Sequence, residues 1–165
     1  FKRMITSGCG RGAAFYSAAD TTGQAKVKSE MKVSAGDVFA RAREFQLRSQ
    51  VYRATHGVHS AALCDAKNIL LFAEDIGRHN AIDKIFGQCL LEDISLEDRM
   101  VITSGRMSSE VVLKVARRNI PIVISKAAPT DLAVELAARL GVTVIGFVRG
   151  KKMNVYTDGW RVIGE

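Results

Sequence analysis

A cysteine between two glycines, Gly8-Cys9-Gly10, with Arg11 two residues on, is the first place where this sequence offers chemistry. Glycines let the backbone approach a ligand closely and adopt positive φ. A nearby guanidinium favours thiolate over thiol, and a thiolate attacks sulfur and carbon centres. Cys9 is therefore either a nucleophile or a small residue in a tight turn. Cys64 and Cys89 sit in the apolar patterns AALC and GQCLL and read as core thiols.

Four more segments crowd polar residues together. In Glu74–Lys84, Gly77, Arg78 and His79 stand where a strand pattern gives way to a helical one. Helix N-termini present free N–H groups to anions, so this turn can hold an anion or a proton. Alternatively, Asp75 and Asn80 are caps and Arg78 makes an ion pair. In Thr103–Glu110, Ser104, Gly105, Arg106 and Ser108 suit a phosphate cradle, without the GxxxxGK[ST] spacing of a P-loop. Ser108 suits a helix cap equally well. Ser125–Thr130 repeats the strand-to-helix placement. Phe147-Val148-Arg149-Gly150-Lys151-Lys152 sets three cations around a glycine, which makes either a solvated turn or a pyrophosphate clamp. His56 and His59 lie three apart, but no Cys or carboxylate stands beside them at ligand spacing. No metal site is expected; a proton-transfer or cofactor-contact role for one of them fits better.

These segments need elements to hold them. Residues 7–23 read as a loop and 24–33 as a loosely alternating strand. A helical stripe (Val38, Phe39, Ala42, Phe45, Leu47) runs from Ser34 to about His56. Strands are expected at 59–64 and 68–73, then a helix at 78–91 with Ala81, Ile82, Ile85, Phe86 and Leu90 inward. Strand 100–103, helix 108–118, strand 121–125, helix 129–140 and strands 142–147 and 154–156 follow, with Pro129 in a first helical turn. This alternation predicts a single α/β domain, a sheet covered on both faces. A hairpin near Arg149–Lys152 makes the sheet mixed. If the strands before the three central motifs are parallel, those motifs gather at one sheet edge, where α/β folds bind ligands.

Bulk properties narrow the class. At 165 residues, 47% hydrophobic and 25% charged, the chain is an ordinary globular domain. No apolar run approaches the roughly 18 residues of a membrane span. Three scattered cysteines argue against a disulfide framework and fit a reducing cytoplasm. The net charge of +7 favours anionic partners. Residues 1–50 carry nine basic against four acidic side chains, 51–100 five against eight, and 101–165 ten against five, so the ends are basic and the middle acidic. Aromatics are only 7% and do not interleave with the cations, which disfavours a nucleic-acid partner.

Taken together, the Gly-rich cysteine loop, THGVH before AAL, EDIGRHNAIDK, TSGRMSSE, SKAAPT and the late F-x-R…VYT segment resemble the FdhD family of formate dehydrogenase accessory sulfurtransferases. The likeness runs from Thr6 to Thr157, and the family's upstream portion is expected to be missing here. It implies a three-layer, cytidine deaminase-like fold, a cytoplasmic homodimer, and sulfur transfer from a cysteine desulfurase to a molybdenum (or tungsten) bis-guanine-dinucleotide cofactor for formate dehydrogenase. Cys9 would carry the persulfide or, if the protein is instead a non-catalytic cofactor-binding chaperone for formate dehydrogenase, serve only as a contact. The cofactor would lie on Phe147–Lys152 and on the motifs around His59, Gly77–His79 and Ser104–Ser108, where a guanine nucleotide such as GDP would also fit. Many members carry a CGxCG pair in the first loop; this chain has Cys9 alone. The zinc signature of deaminases is missing, which excludes deamination.

Overall fold

The structure is a computed structural model that describes residues 2–5, 13–16 and 23–164. Cys9 lies outside the described residues. β1 (Lys2–Ile5) and β2 (Ala13–Tyr16) pair antiparallel, so part of the stretch expected to be loop is strand.

From Gly23 the chain has no helix or strand until β3 (Val33–Ser34), so most of the strand expected over 24–33 does not form. Its other polar groups are met elsewhere: Val27 N–H donates to the Leu140 carbonyl at 2.8 Å, and Asn119 accepts from Lys28 N–H at 2.8 Å while donating back to its carbonyl at 3.2 Å. Ser34 then caps α1 (Ala35–Arg48), its hydroxyl accepting Asp37 N–H at 3.0 Å. The helical stripe places Val38, Ala42 and Phe45 in the core, but Leu47 is 58% exposed. The helix also stops earlier than its pattern suggests. Ser49 takes ψ 62 and a second, six-residue helix follows, α2 (Gln50–Thr55).

Next come β4 (His59–Cys64), β5 (Ile69–Asp75), α3 (Arg78–Leu91), β6 (Met100–Thr103), α4 (Ser109–Ala116), β7 (Ile122–Ser125), α5 (Asp131–Leu140), β8 (Thr143–Arg149) and β9 (Lys152–Val155). α5 begins after Pro129, with Thr130 as its cap, because the Thr130 hydroxyl accepts Ala133 N–H at 3.2 Å. Pro129 instead bridges to Met107. Leu90 points outward, 85% exposed, and Cys89 takes the inward place.

Six strands form a mixed sheet in the order β5-β4-β6-β7-β8-β9. β6, β7 and β8 run parallel; β4 runs antiparallel to both β5 and β6, so β5 points the same way as the parallel three. β8 and β9 close as the expected hairpin. Alternate strand residues feed two cores. Leu63, Val101, Val123 and Val144 pack with α3, α4 and α5; Cys64, Ile102, Ile124 and Ile145 pack with α1. The result is three layers, helix–sheet–helix. Cys64 and Cys89 are buried, as their apolar settings predict, and burial pushes the Cys64 thiol up to about 12.

A turn of 3₁₀ helix (Gly159–Arg161) leads into β10 (Val162–Ile163), which pairs parallel with β3. The buried Arg161 guanidinium donates to the carbonyls of Gly141 and Ser29 and to the Thr143 hydroxyl. Among the described residues no helix is long and apolar enough to cross a membrane.

Candidate functional site

Strand direction decides what meets at the sheet edge. β5, β6, β7 and β8 end there and β4 begins there: His59 is in register with Asp75, and Ala61 with Thr103, which pairs in turn with Ser125. The four polar segments between Glu74 and Lys152, and His59 at the start of β4, therefore sit at one edge, as parallel strands would require.

Two of these segments are locked together. Arg78 is buried in the first turn of α3 and packs over Gly105; a Cβ there would come within 2.8 Å of Arg78 Cδ. Gly105 is thus the residue that lets Arg78 in. Gly77 is the helix cap, with Asp75 accepting its N–H at 2.9 Å and that of the Asn80 amide at 3.2 Å. Lys84 pairs with Asp75 at 2.7 Å and, with these hydrogen bonds, holds its carboxyl down at about 2. Much of the EDIGRHN segment is therefore turn architecture. His79 faces Glu110 at 3.3 Å; burial keeps its imidazole below the ordinary 6.5, against the pull of that carboxylate.

His59 and Ser104 form a polar pair. Ser104 Oγ accepts the Ser60 amide at 2.9 Å and lies 3.2 Å from His59 Nδ1. The Ser104 hydroxyl can donate to Nδ1 or accept from it, according to which nitrogen of the neutral ring carries the proton. Burial, then Arg78, lower the His59 pKa, so this ring is neutral at pH 7 and able to take up a proton. His56 is apart from it, in a left-handed conformation at the end of α2 with its ring against Tyr52.

Beside this pair opens a cleft of about 690 Å³. Its floor and one wall come from the strand ends: Ser104, Lys126, Ala127, Arg149 and Gly150. The opposite wall is the end of α1 together with α2, where Gln46, Tyr52 and Arg53 line it. Burial and the neighbouring Arg149 lower the Lys126 pKa, and among the described residues no carboxylate lines the cleft beside these two cations. A smaller groove of about 370 Å³ adjoins across Gln46 and Gly150 and is bordered by Arg43 and Lys151.

The last segment divides. Gly146 fits against Tyr156, Ala127 and Pro129, where a Cβ would come within 3.0–3.2 Å. β8 then bulges: Phe147 takes φ 53 with its ring largely exposed, Val148 turns into the core beneath α1, and Arg149 faces the cleft. Gly150, at φ 58, turns the hairpin so that Lys151 and Lys152 stand in solvent. Arg106 is exposed. Ser108 caps α4 through its backbone, its buried hydroxyl without a partner among the described residues. The α2 wall is the part that motif reading missed; Leu47, exposed where the stripe put it inward, is its one trace in the sequence.

Comparison with known proteins gives the family. The model of the FdhD/NarQ family matches residues 1–163. The chain belongs to the FdhD/NarQ family. It is 47% identical over 161 residues to the sulfur carrier protein FdhD of Bacillus subtilis (strain 168), and 45% identical over 161 residues to that of Bacillus pumilus (strain SAFR-032). Both alignments cover 98% of this chain and 62% of the relative, so the chain spans about three fifths of their length. A crystal structure from Desulfotalea psychrophila, described as that of a formate dehydrogenase accessory protein, superposes with a TM-score of 0.77 at 34% identity over 82% of this chain and 61% of that one. The FdhD/NarQ resemblance read from the polar segments is thus shown by whole-chain similarity. Of the residues expected to hold a cofactor, Ser104, Arg149 and Gly150 line the cleft and Val148 and Lys151 border the adjoining groove, whereas Gly77, Arg78, His79, Arg106 and Ser108 do not line either.

Proposed function

We propose that this chain is a sulfur carrier: it takes sulfur from a cysteine desulfurase as a persulfide on Cys9 and delivers it to a molybdenum or tungsten bis-guanine-dinucleotide cofactor bound in the cleft as substrate, for formate dehydrogenase. The observation that carries the reading is the crowding of Lys126 and Arg149 at the cleft floor, with Arg53 opposite. Like charges gathered around a cleft, with Lys126 partly buried and Arg53 and Arg149 exposed, favour a dense anion, and a diphosphate supplies one. A cleft of about 690 Å³ accommodates a nucleoside diphosphate. The relatives' name, sulfur carrier protein, supports the transfer role. The helix–sheet–helix layering is consistent with a deaminase-like fold, and assembly as a cytoplasmic homodimer belongs to the same proposal.

The loading step balances without an oxidant. The Cys9 thiolate attacks the outer sulfur of the donor's persulfide; a Cys9 S–S bond forms, the donor S–S bond breaks, and the donor cysteine leaves as thiolate. Passing that sulfur on as sulfide consumes two electrons, from the reduced metal of the substrate or from an external thiol. In this reading His59, which hydrogen-bonds with the cleft residue Ser104, takes up or returns a proton.

Incubation of the full-length protein with a cysteine desulfurase and cysteine, read by intact mass, tests the carrier role. A gain of one sulfur that disappears in Cys9→Ala supports it. A gain that survives moves the chemistry to Cys64 or Cys89. No gain, with an active desulfurase, leaves a protein that holds the cofactor without carrying sulfur.

A further inference from the structure

The α2 wall of the cleft has little to hold it in place. α2 has six residues, none buried, and helices this short are marginal on their own. Its cap, Ser49, makes no side-chain bond to the first turn; the Ser49 hydroxyl instead donates back to the Phe45 carbonyl at 2.9 Å. The leading amides of α2 would therefore lack acceptors. A residue from another element supplies them. Glu74, on β5, accepts Val51 N–H at 3.3 Å and Tyr52 N–H at 3.2 Å, one on each carboxylate oxygen. Its negative charge also suits a helix start.

The same carboxylate reaches the cleft floor. The buried Ser60 hydroxyl donates to Glu74 Oε1 at 3.2 Å, and Ser60 N–H donates to Ser104 Oγ at 2.9 Å. Ser104 lines the cleft. Behind Glu74, its own carbonyl accepts from Lys84 Nζ at 3.0 Å. A continuous path thus runs from the α2 backbone through one carboxylate to the hydroxyl beside His59.

We infer, on the reading of the cleft as the anion site, that Glu74 is a positioning residue: it ties the α2 wall to the sheet edge and so sets how far Tyr52 and Arg53 stand from Lys126 and Arg149. Nothing in the path touches the ligand through Glu74 itself, so its loss acts on binding through geometry. Glu74→Gln keeps one carbonyl acceptor for these amides, whereas Glu74→Ala removes both.

The test is GDP binding by calorimetry on the full protein, with hydrogen exchange on the same variants. Glu74→Ala is expected to weaken GDP binding about tenfold, and to speed exchange at the Val51 and Tyr52 amides while β6 and β7 stay protected. Glu74→Gln is expected to recover affinity to within about threefold. Wild-type affinity in Glu74→Ala, alongside lost affinity in Arg149→Ala, overturns the role of Glu74 and leaves the cleft reading standing. Loss of protection across the whole sheet in both Glu74 variants also overturns it, since the residue would then be general support. Failure of the unaltered protein to bind GDP overturns the cleft reading and this role together.

Discussion

The two ends of the central sheet are built from similar residues put to opposite use. At the end where β6, β7 and β8 begin, polar groups close on one another. Asn119 grips the Lys28 backbone through both its amide atoms, Ser29 donates to Asp98 at 2.7 Å, and Asp65 accepts the amides of Lys67 and Asn68. At the end where those strands finish, Lys126 and Arg149 are brought together around open space. The difference separates architecture from function. Satisfied polar groups hold a fold, whereas like charges gathered without compensation are a cost the fold carries for a ligand.

The largest effect should come from the cleft end. Lys126→Ala combined with Arg149→Ala should weaken GDP binding by about a hundredfold or more, with the melting temperature unchanged or slightly raised by relief of the repulsion. A large fall in melting temperature would erase the contrast between the ends. Asn119→Ala should do the reverse. It removes two hydrogen bonds that hold the stretch before β3 and so should cost about 2 kcal/mol in chemical denaturation, with GDP affinity unaffected. Asn119→Gly tests the same bonds while easing the backbone, which stands at φ 56.

Acid should sharpen the comparison further. His59 and His79 are held below their ordinary 6.5 chiefly by burial. The unfolded chain takes up those protons near 6.5 and the native protein only at lower pH, so stability is full above that value and declines as pH falls from it toward the native pKa values. Proton NMR titration should place both imidazole midpoints below 6.5; midpoints at or above it would contradict the burial. The smallest effect belongs to the Lys114–Asp83 pair on the outer face of α3 and α4, at 2.6 Å but partly solvated. Lys114→Ala should change stability by no more than about 0.5 kcal/mol.

Much of this plan is legible in the sequence because periodicity reports burial directly. The bounds of α3, Arg78–Leu91, and of β6, Met100–Thr103, coincide with their apolar patterns. Gathering of the motifs at one edge follows from strand direction alone. Other features depend on partners far away in the chain. Leu47 and Leu90 stand beside buried residues, Phe45 and Ser49 in one case and Cys89 in the other, but on the outward side of the helix turn. The break at Ser49 has no glycine or proline to announce it, so the α2 wall and its dependence on Glu74 are invisible to spacing. Turn chemistry also hid in the EDIGRHN segment, where Asp75 serves Gly77 and Lys84.

The pairing of β3 with β10 has a consequence for timing. Two residues near position 33 wait for two near position 162, and Arg161 reaches across 132 positions to the Ser29 carbonyl. Closing so long a loop is entropically slow and returns few bonds. During synthesis this seam can fasten only after the six-stranded sheet has been made. In the finished protein so short a pairing stays closed because Val33 and Arg161 are buried there and the Arg161 guanidinium bonds both sides of the seam.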